Sequence, residues 1–164
     1  MTPGNFKVNY DGSNLSATIS VQPSLSLKIA LYLLNILLIA VIVLFTIGGV
    51  GVIVLFIVAF EILFLRYSIW NLHGAETVTL TKDSLSYQQF YGLLKLGIKR
   101  FKINKTMRVI PFHENFQAGN KSMKLIFESY DSDNEPVNLY QTALVISRED
   151  YAIFMKAFNQ LYSN

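Results

Sequence analysis

The chain has 164 residues, a net charge of +3, no cysteine and a mean hydropathy of +0.37. That length accommodates one modest domain plus a membrane segment. The mild basic balance does not by itself point to nucleic acid, and the lack of cysteine excludes disulfides, thiolate metal sites and thiol catalysis. The apolar excess is local: from Ile29 to Leu65 the only charged residue is Glu61.

Residues 1–27 open with two alternating runs, Phe6–Tyr10 and Leu15–Val21, around Asp11-Gly12, which is a β-hairpin signal. A flexible Ser/Asn-rich segment is the other reading. Pro23 ends the second run. A lone hairpin is marginal in water, so an ordered one must lean on the C-terminal domain or a partner.

The Ile29–Leu65 run is 37 residues long. As one helix it would measure roughly 55 Å, against a hydrocarbon core of ~30 Å. Gly48, Gly49 and Gly51 sit near its middle and permit a tight turn. Two spans are predicted, about 28–46 and 50–67. One long tilted helix with a glycine kink is the alternative. The run begins well inside the chain, is too long for a cleavable signal peptide and has no small-residue cleavage site after it. Lys7 and Lys28 precede it, Arg66 and further basic residues follow, and the turn is uncharged. The positive-inside tendency then puts both termini on the cytoplasmic side. Lys28, Tyr32, Arg66, Tyr67 and Trp70 are the expected interfacial anchors. An ionisable residue inside a span is often functional. An ion pathway needs several, however, so Glu61 is expected to reach the cytoplasmic interface or to meet Lys28 or Arg66.

Residues 68–74 form a junction, and 75–164 read as strands separated by turns. The expected strands are Thr77–Thr81, Leu85–Phe90, Ile98–Ile103, Thr106–Phe112, Met123–Tyr130 and Val137–Ile146. Lys82-Asp83 and Asn104-Lys105 mark turns, and His113–Asn120 is a polar loop. Ser147-Arg148-Glu149-Asp150 resembles a capping box, after which Tyr151, Phe154, Met155, Phe158, Leu161 and Tyr162 recur at helical spacing. Those aromatics and Met155 fit a packing face better than a ligand box. The fold class expected is an α+β membrane protein. Its transmembrane helical hairpin is followed by a small antiparallel β-barrel or sandwich capped by a C-terminal helix.

Little in the chain suggests catalysis or a cofactor. His73 and Glu76 stand at a membrane junction entering a strand, and His113-Glu114 lies in a loop; neither pair makes a metal set of three or four ligands. Gly92–Gly97 includes Lys95 but lacks phosphate-cradling spacing. Asp131, Asp133 and Glu135 imitate the start of a calcium loop, yet Pro136 and Thr142 occupy the positions of its required glycine and glutamate. An acidic hairpin turn is the better reading. No catalytic residue, cofactor or metal site is assigned, and an enzyme is not expected.

The order of features resembles bacterial membrane-anchored proteins with a pleckstrin-homology-like domain, many of them uncharacterised. These often carry a transmembrane hairpin, a tryptophan-containing junction and a G-x-E entering the first strand, here Trp70, Gly74 and Glu76. Leu85–Phe90, the basic segment Lys99–Val109 and the final helix fit the same outline. The resemblance implies an interaction module in a bacterial inner membrane. No phosphoinositide-type pocket motif is present, so lipid signalling as in eukaryotic relatives is not carried over.

Lys95, Lys99, Arg100, Lys102, Lys105 and Arg108 fall within fourteen residues with no acid among them. Beside a membrane such residues could contact anionic lipid or a partner, each worth ~1 kcal/mol near the surface. A solvated strand face that blunts a sheet edge is the other reading. Nucleic acid is not expected, because exposed aromatics are not interleaved with the charges. The partners expected are the bilayer and a membrane protein or second copy of the chain. The function expected is a membrane-anchored interaction module; the alternative is an accessory subunit of a membrane complex with the hairpin as its main interface.

Overall fold

A computed structural model of the chain describes residues 5–112, 122–131 and 133–163. Two strands come first, β1 (Asn5–Tyr10) and β2 (Leu15–Ser20), then two helices, α1 (Leu25–Ile47) and α2 (Gly51–His73). Strands β3 (Gly74–Leu80), β4 (Ser84–Tyr91), β5 (Leu94–Lys95), β6 (Lys99–Lys102), β7 (Arg108–Phe112), β8 (Ser122–Tyr130), β9 (Pro136–Gln141) and β10 (Ile146–Ser147) follow, and α3 (Arg148–Ser163) ends the fold. The molecule is α+β, with two long apolar helices, two antiparallel sheets and a C-terminal helix.

Residues 5–20 form the hairpin and not the flexible alternative. Gly12 takes a φ of 94° in its turn, where the Asp11 carboxylate accepts from the backbone N–H groups of Ser13 and Asn14 at 3.0 and 2.7 Å. The hairpin does not stand alone. Strand β2 pairs with β3 from Leu15↔Leu80 to Ser20↔Ala75, so both belong to one sheet ordered β1-β2-β3-β4-β5, with β6 also on β4. The helical pair is therefore the connection between two adjacent antiparallel strands. The expected segments 1–27 and 75–164 share a single sheet across it.

Helices α1 and α2 are separate and antiparallel, which rules out the single kinked helix. Ser24 caps α1 by accepting from the Leu27 N–H at 3.3 Å. Gly49 turns the chain between the helices with a φ of 73°. Each helix has 23 residues, about 34 Å of axis, enough to cross a ~30 Å hydrocarbon layer. Their apolar side chains are not covered by the rest of the chain; Leu44, Leu55 and Phe56 are 67, 71 and 74 % exposed. The helices also run past the expected ends, and α2 continues through the anticipated junction to His73, with β3 starting at the next residue.

The second sheet has β8 at its centre, with β7 on one edge and β9 then β10 on the other. No described hydrogen-bonded strand pair joins the two sheets, so the barrel is not closed. After Lys102 the chain leaves the first sheet, with Ile103 N–H bonding the Asp83 carbonyl at 2.8 Å, and Ile103 and Met107 fill the core between the sheets. Helix α3 closes that core. Its start is the expected capping box: Ser147 Oγ accepts from the Asp150 N–H at 3.0 Å and donates to its carboxylate at 2.7 Å. Phe154, Ala157, Phe158 and Leu161 are buried, and Phe154 meets Phe6 and Phe127 edge-on at ring distances of 6.4 and 6.0 Å. The polar loop expected at His113–Asn120 lies outside the described residues.

Candidate functional site: a buried clasp and the helix-side surface

The inward face of β3 carries Gly74, Glu76, Val78 and Leu80, all buried. Glu76 is fully enclosed. An unpaired carboxylate in such a place would be strongly unfavourable. Three donors meet it: Leu144 N–H on Oε1 at 2.8 Å, with Ala143 N–H and Tyr140 O–H on Oε2 at 3.0 and 2.5 Å. Burial pushes the Glu76 carboxyl above the ordinary range, and the three hydrogen bonds with the Lys124 charge pull it back down. Burial and the neighbouring carboxylate push the Tyr140 phenol up as well. Tyr140 stacks on Tyr87 with ring centroids 3.8 Å apart.

This clasp explains why the expected strand Val137–Ile146 is broken into β9 and β10. Between the pairs Ile126↔Gln141 and Met123↔Ile146, β8 advances three residues while the opposite chain advances five. The excess bends out, and its Ala143 and Leu144 N–H groups turn toward Glu76. Thr142 mends the ladder: its Oγ1 accepts from Leu125 N–H and donates to the Leu144 carbonyl, both at 2.9 Å. Glu76 thus ties the first sheet to the second. His73 is exposed at the end of α2 and takes no part. Among the described residues no group of three His, Asp or Glu side chains could hold a metal ion.

The passage from α2 to β3 is sterically fixed. Gly74 is extended, at φ −65° and ψ 141°, so no unusual backbone angle demands glycine there. A Cβ at this position would stand 2.3 Å from the Trp70 carbonyl oxygen and 2.9 Å from its ring. Trp70, expected as an interfacial anchor, is half-buried against the domain: its ring lies 4.8 Å from that of Tyr91, and the Arg66 guanidinium stands 5.4 Å from the same Tyr91 ring. Lys28, Tyr32 and Tyr67 are exposed on the helices.

The basic residues are not gathered into one patch. Gly74↔Tyr91 marks the helix-side end of the first sheet and Leu80↔Leu85 the far end. Lys95, opposite Phe90, is at the helix side, while Lys99 and Lys102 pair with Tyr87 and Ser84. Arg100 and Lys102 point to one face of β6, Lys99 to the other, where its ammonium lies 5.9 Å from the Tyr87 ring. Lys105 donates to Asn134 Oδ1 at 2.7 Å, and Arg108 stands 5.7 Å from the Tyr130 ring. From Tyr91 to the level of Lys102 is roughly 20 Å, and a Debye length is ~8 Å at physiological salt. A negative surface at the helix end would therefore act on Lys95 and hardly on Lys102. Asp131, Asp133 and Glu135 lie at a turn, with Asp131 Oδ1 accepting from Asp133 and Glu135 N–H at 2.9 and 2.8 Å.

Glu61 corrects an expectation. It lies ten residues into α2, near its middle, and is 8 % exposed, with Oε2 buried and without a hydrogen-bond partner. Lys28 borders Leu72 and His73, about 16 Å further along α2. A polar contact between the two helices had no signature in the apolar pattern: Asn35 Nδ2 donates to Ser68 Oγ at 2.9 Å and to the Leu31 carbonyl at 2.6 Å. Comparison with protein families, curated proteins and solved structures returned no match to this chain.

Proposed function

We propose that the chain is a membrane-anchored interaction module, a pleckstrin-homology-like β-domain held at the cytoplasmic face of a bacterial inner membrane, whose ligand is a membrane protein or a second copy. The supporting observation is how the anchor is inserted. It leaves β2 four residues before α1 and enters β3 with no residue between, and these two strands are hydrogen-bonded neighbours. A flexible tether would retain a domain equally well; a double, rigid attachment also sets which face points outward. The Glu76 carboxylate is engaged by donors of the fold itself, which favours binding over catalysis as the role of the domain.

The test is isolation in mild detergent with identification of co-migrating proteins, alongside reporter fusions at Gly49 and Asn164. A stoichiometric partner or homo-oligomer and a cytoplasmic Asn164 reporter are expected. A lone monomer, or a cytoplasmic Gly49 reporter, rejects the reading. A partner retained by the hairpin without the β-domain would make the chain an accessory subunit instead.

A further inference from the structure

The connection from β4 to β6 has a composition that its position explains. Leu93, Leu94, Leu96 and Ile98 are 100, 67, 41 and 64 % exposed, four large apolar side chains within six residues. A water-facing loop of that kind is an aggregation hazard. It lies beside the last turn of α2: Gly92 N–H bonds the His73 carbonyl at 3.2 Å, and a Cβ on Gly92 would touch Ile69 and His73 at 3.7 Å. Ile69 is four residues, about 6 Å, past Leu65, where the apolar stretch of α2 ends. The headgroup layer beyond the hydrocarbon is itself about 5–7 Å deep. An open groove of about 770 Å³ separates this loop from the helix, with Val21, Ile69, Leu72, Leu93 and Leu94 among its walls. Lys95 lies in this connection, on the short strand β5, and Lys28 and Arg66 are exposed near the same end of the helices.

We infer that Gly92–Ile98 is a second membrane contact, in which Leu93 and Leu94 enter the headgroup–acyl boundary beside α2, lipid fills the groove, and Lys95 faces anionic head groups. The inference rests on the reading of α1 and α2 as membrane spans. The apolar surface of the helices then continues onto the domain, and charge and depth both fit lipid at this level. With the β2–α1 link and the α2–β3 passage, the loop is a third constraint on the tilt of the domain over the bilayer.

The absence of cysteine makes site-directed spin labelling direct. The full chain is placed in nanodiscs of phosphatidylglycerol and phosphatidylethanolamine, with a nitroxide on Leu93→Cys, Phe56→Cys or Lys102→Cys. Expected is a Leu93→Cys label that collides several-fold more with oxygen than with a water-soluble nickel chelate, as at Phe56→Cys, while Lys102→Cys shows the reverse. A chelate-accessible label at 93 with a lipid-exposed label at 56 overturns the loop contact and leaves the spans intact. A label at 93 shielded from both reagents means protein covers the loop, which also overturns it. Chelate access at both 93 and 56 removes the spans, and the inference with them.

Discussion

Glu61 and Glu76 are both glutamates held out of water, fifteen residues apart in the chain, and their surroundings differ in kind. Glu76 receives two backbone N–H groups and a phenol. Glu61 Oε2 receives nothing. In the sheet domain the carboxylate organises its neighbours: it breaks a strand, orients Tyr140 and links two sheets that share no described strand pairing. In the hairpin the carboxylate is merely enclosed, and the polar link between helices runs through Asn35 and Ser68. The difference teaches that burial alone does not rank a charged residue. What ranks it is how many groups would lose a partner were it removed.

The contrast breaks most decisively at Glu76. Glu76→Ala leaves Tyr140 O–H and the Ala143 and Leu144 N–H groups without their acceptor, and should cost roughly 3–5 kcal/mol, read as a lowered thermal midpoint of the full chain. Tyr140→Phe removes one charge-assisted bond and should cost about 1.5–3 kcal/mol. The double variant should fall little below Glu76→Ala, because the two side chains act as a unit; additive losses would show that they do not. The pH dependence carries the same signature. Burial holds the Glu76 carboxyl above its ordinary value of 4.5, so the fold binds a proton that the unfolded chain releases. Its contribution is full below pH 4.5 and is lost as pH rises through the folded value. The midpoint of the native chain should fall over that window, and Glu76→Gln should lack that component.

Gly74→Ala tests the passage between the two regions. The added methyl meets a backbone oxygen, not a flexible side-chain end, so either the last turn of α2 or the start of β3 must move. A loss of about 1–3 kcal/mol is expected. Gly97→Ala, with open space around it, serves as the comparison and should be nearly silent. Equal effects at the two glycines would mean that the passage is loose.

Much of this was legible in the sequence, for identifiable reasons. The apolar run and its three glycines specify two helices because a helix satisfies its backbone hydrogen bonds within its own continuous apolar stretch. Period-two alternation located β3, β4 and β8, and the Ser147–Asp150 spacing located the start of α3. The pairing of β2 with β3 was out of reach, since local pattern does not say which distant strand is a neighbour. Glu76 was legible only as the third residue of G-x-E. Its partners lie sixty-four to sixty-eight residues away, and the bend at Ala143–Leu144 has no glycine or proline to announce it. The basic cluster is compact in sequence but spread in space, because the chain climbs away from the helix end along β6 as it accumulates charge.

The smallest effects belong to the hairpin and sharpen the contrast from its other side. Asn35→Leu removes the bond to Ser68 and should cost about 0.5–2 kcal/mol, the usual range for a polar contact between membrane helices. Glu61→Leu removes a group whose Oε2 has no partner and fills the space with hydrocarbon of similar volume, so the change should be neutral or stabilising by about 1 kcal/mol. Both are measured as shifts in the denaturation midpoint in the same detergent. A loss at Glu61→Leu as large as that at Glu76→Ala would mean that the two carboxylates do equivalent structural work, and the contrast would fail. A neutral Glu61→Leu with intact assembly would instead leave the polar cohesion of the hairpin to Asn35 and Ser68.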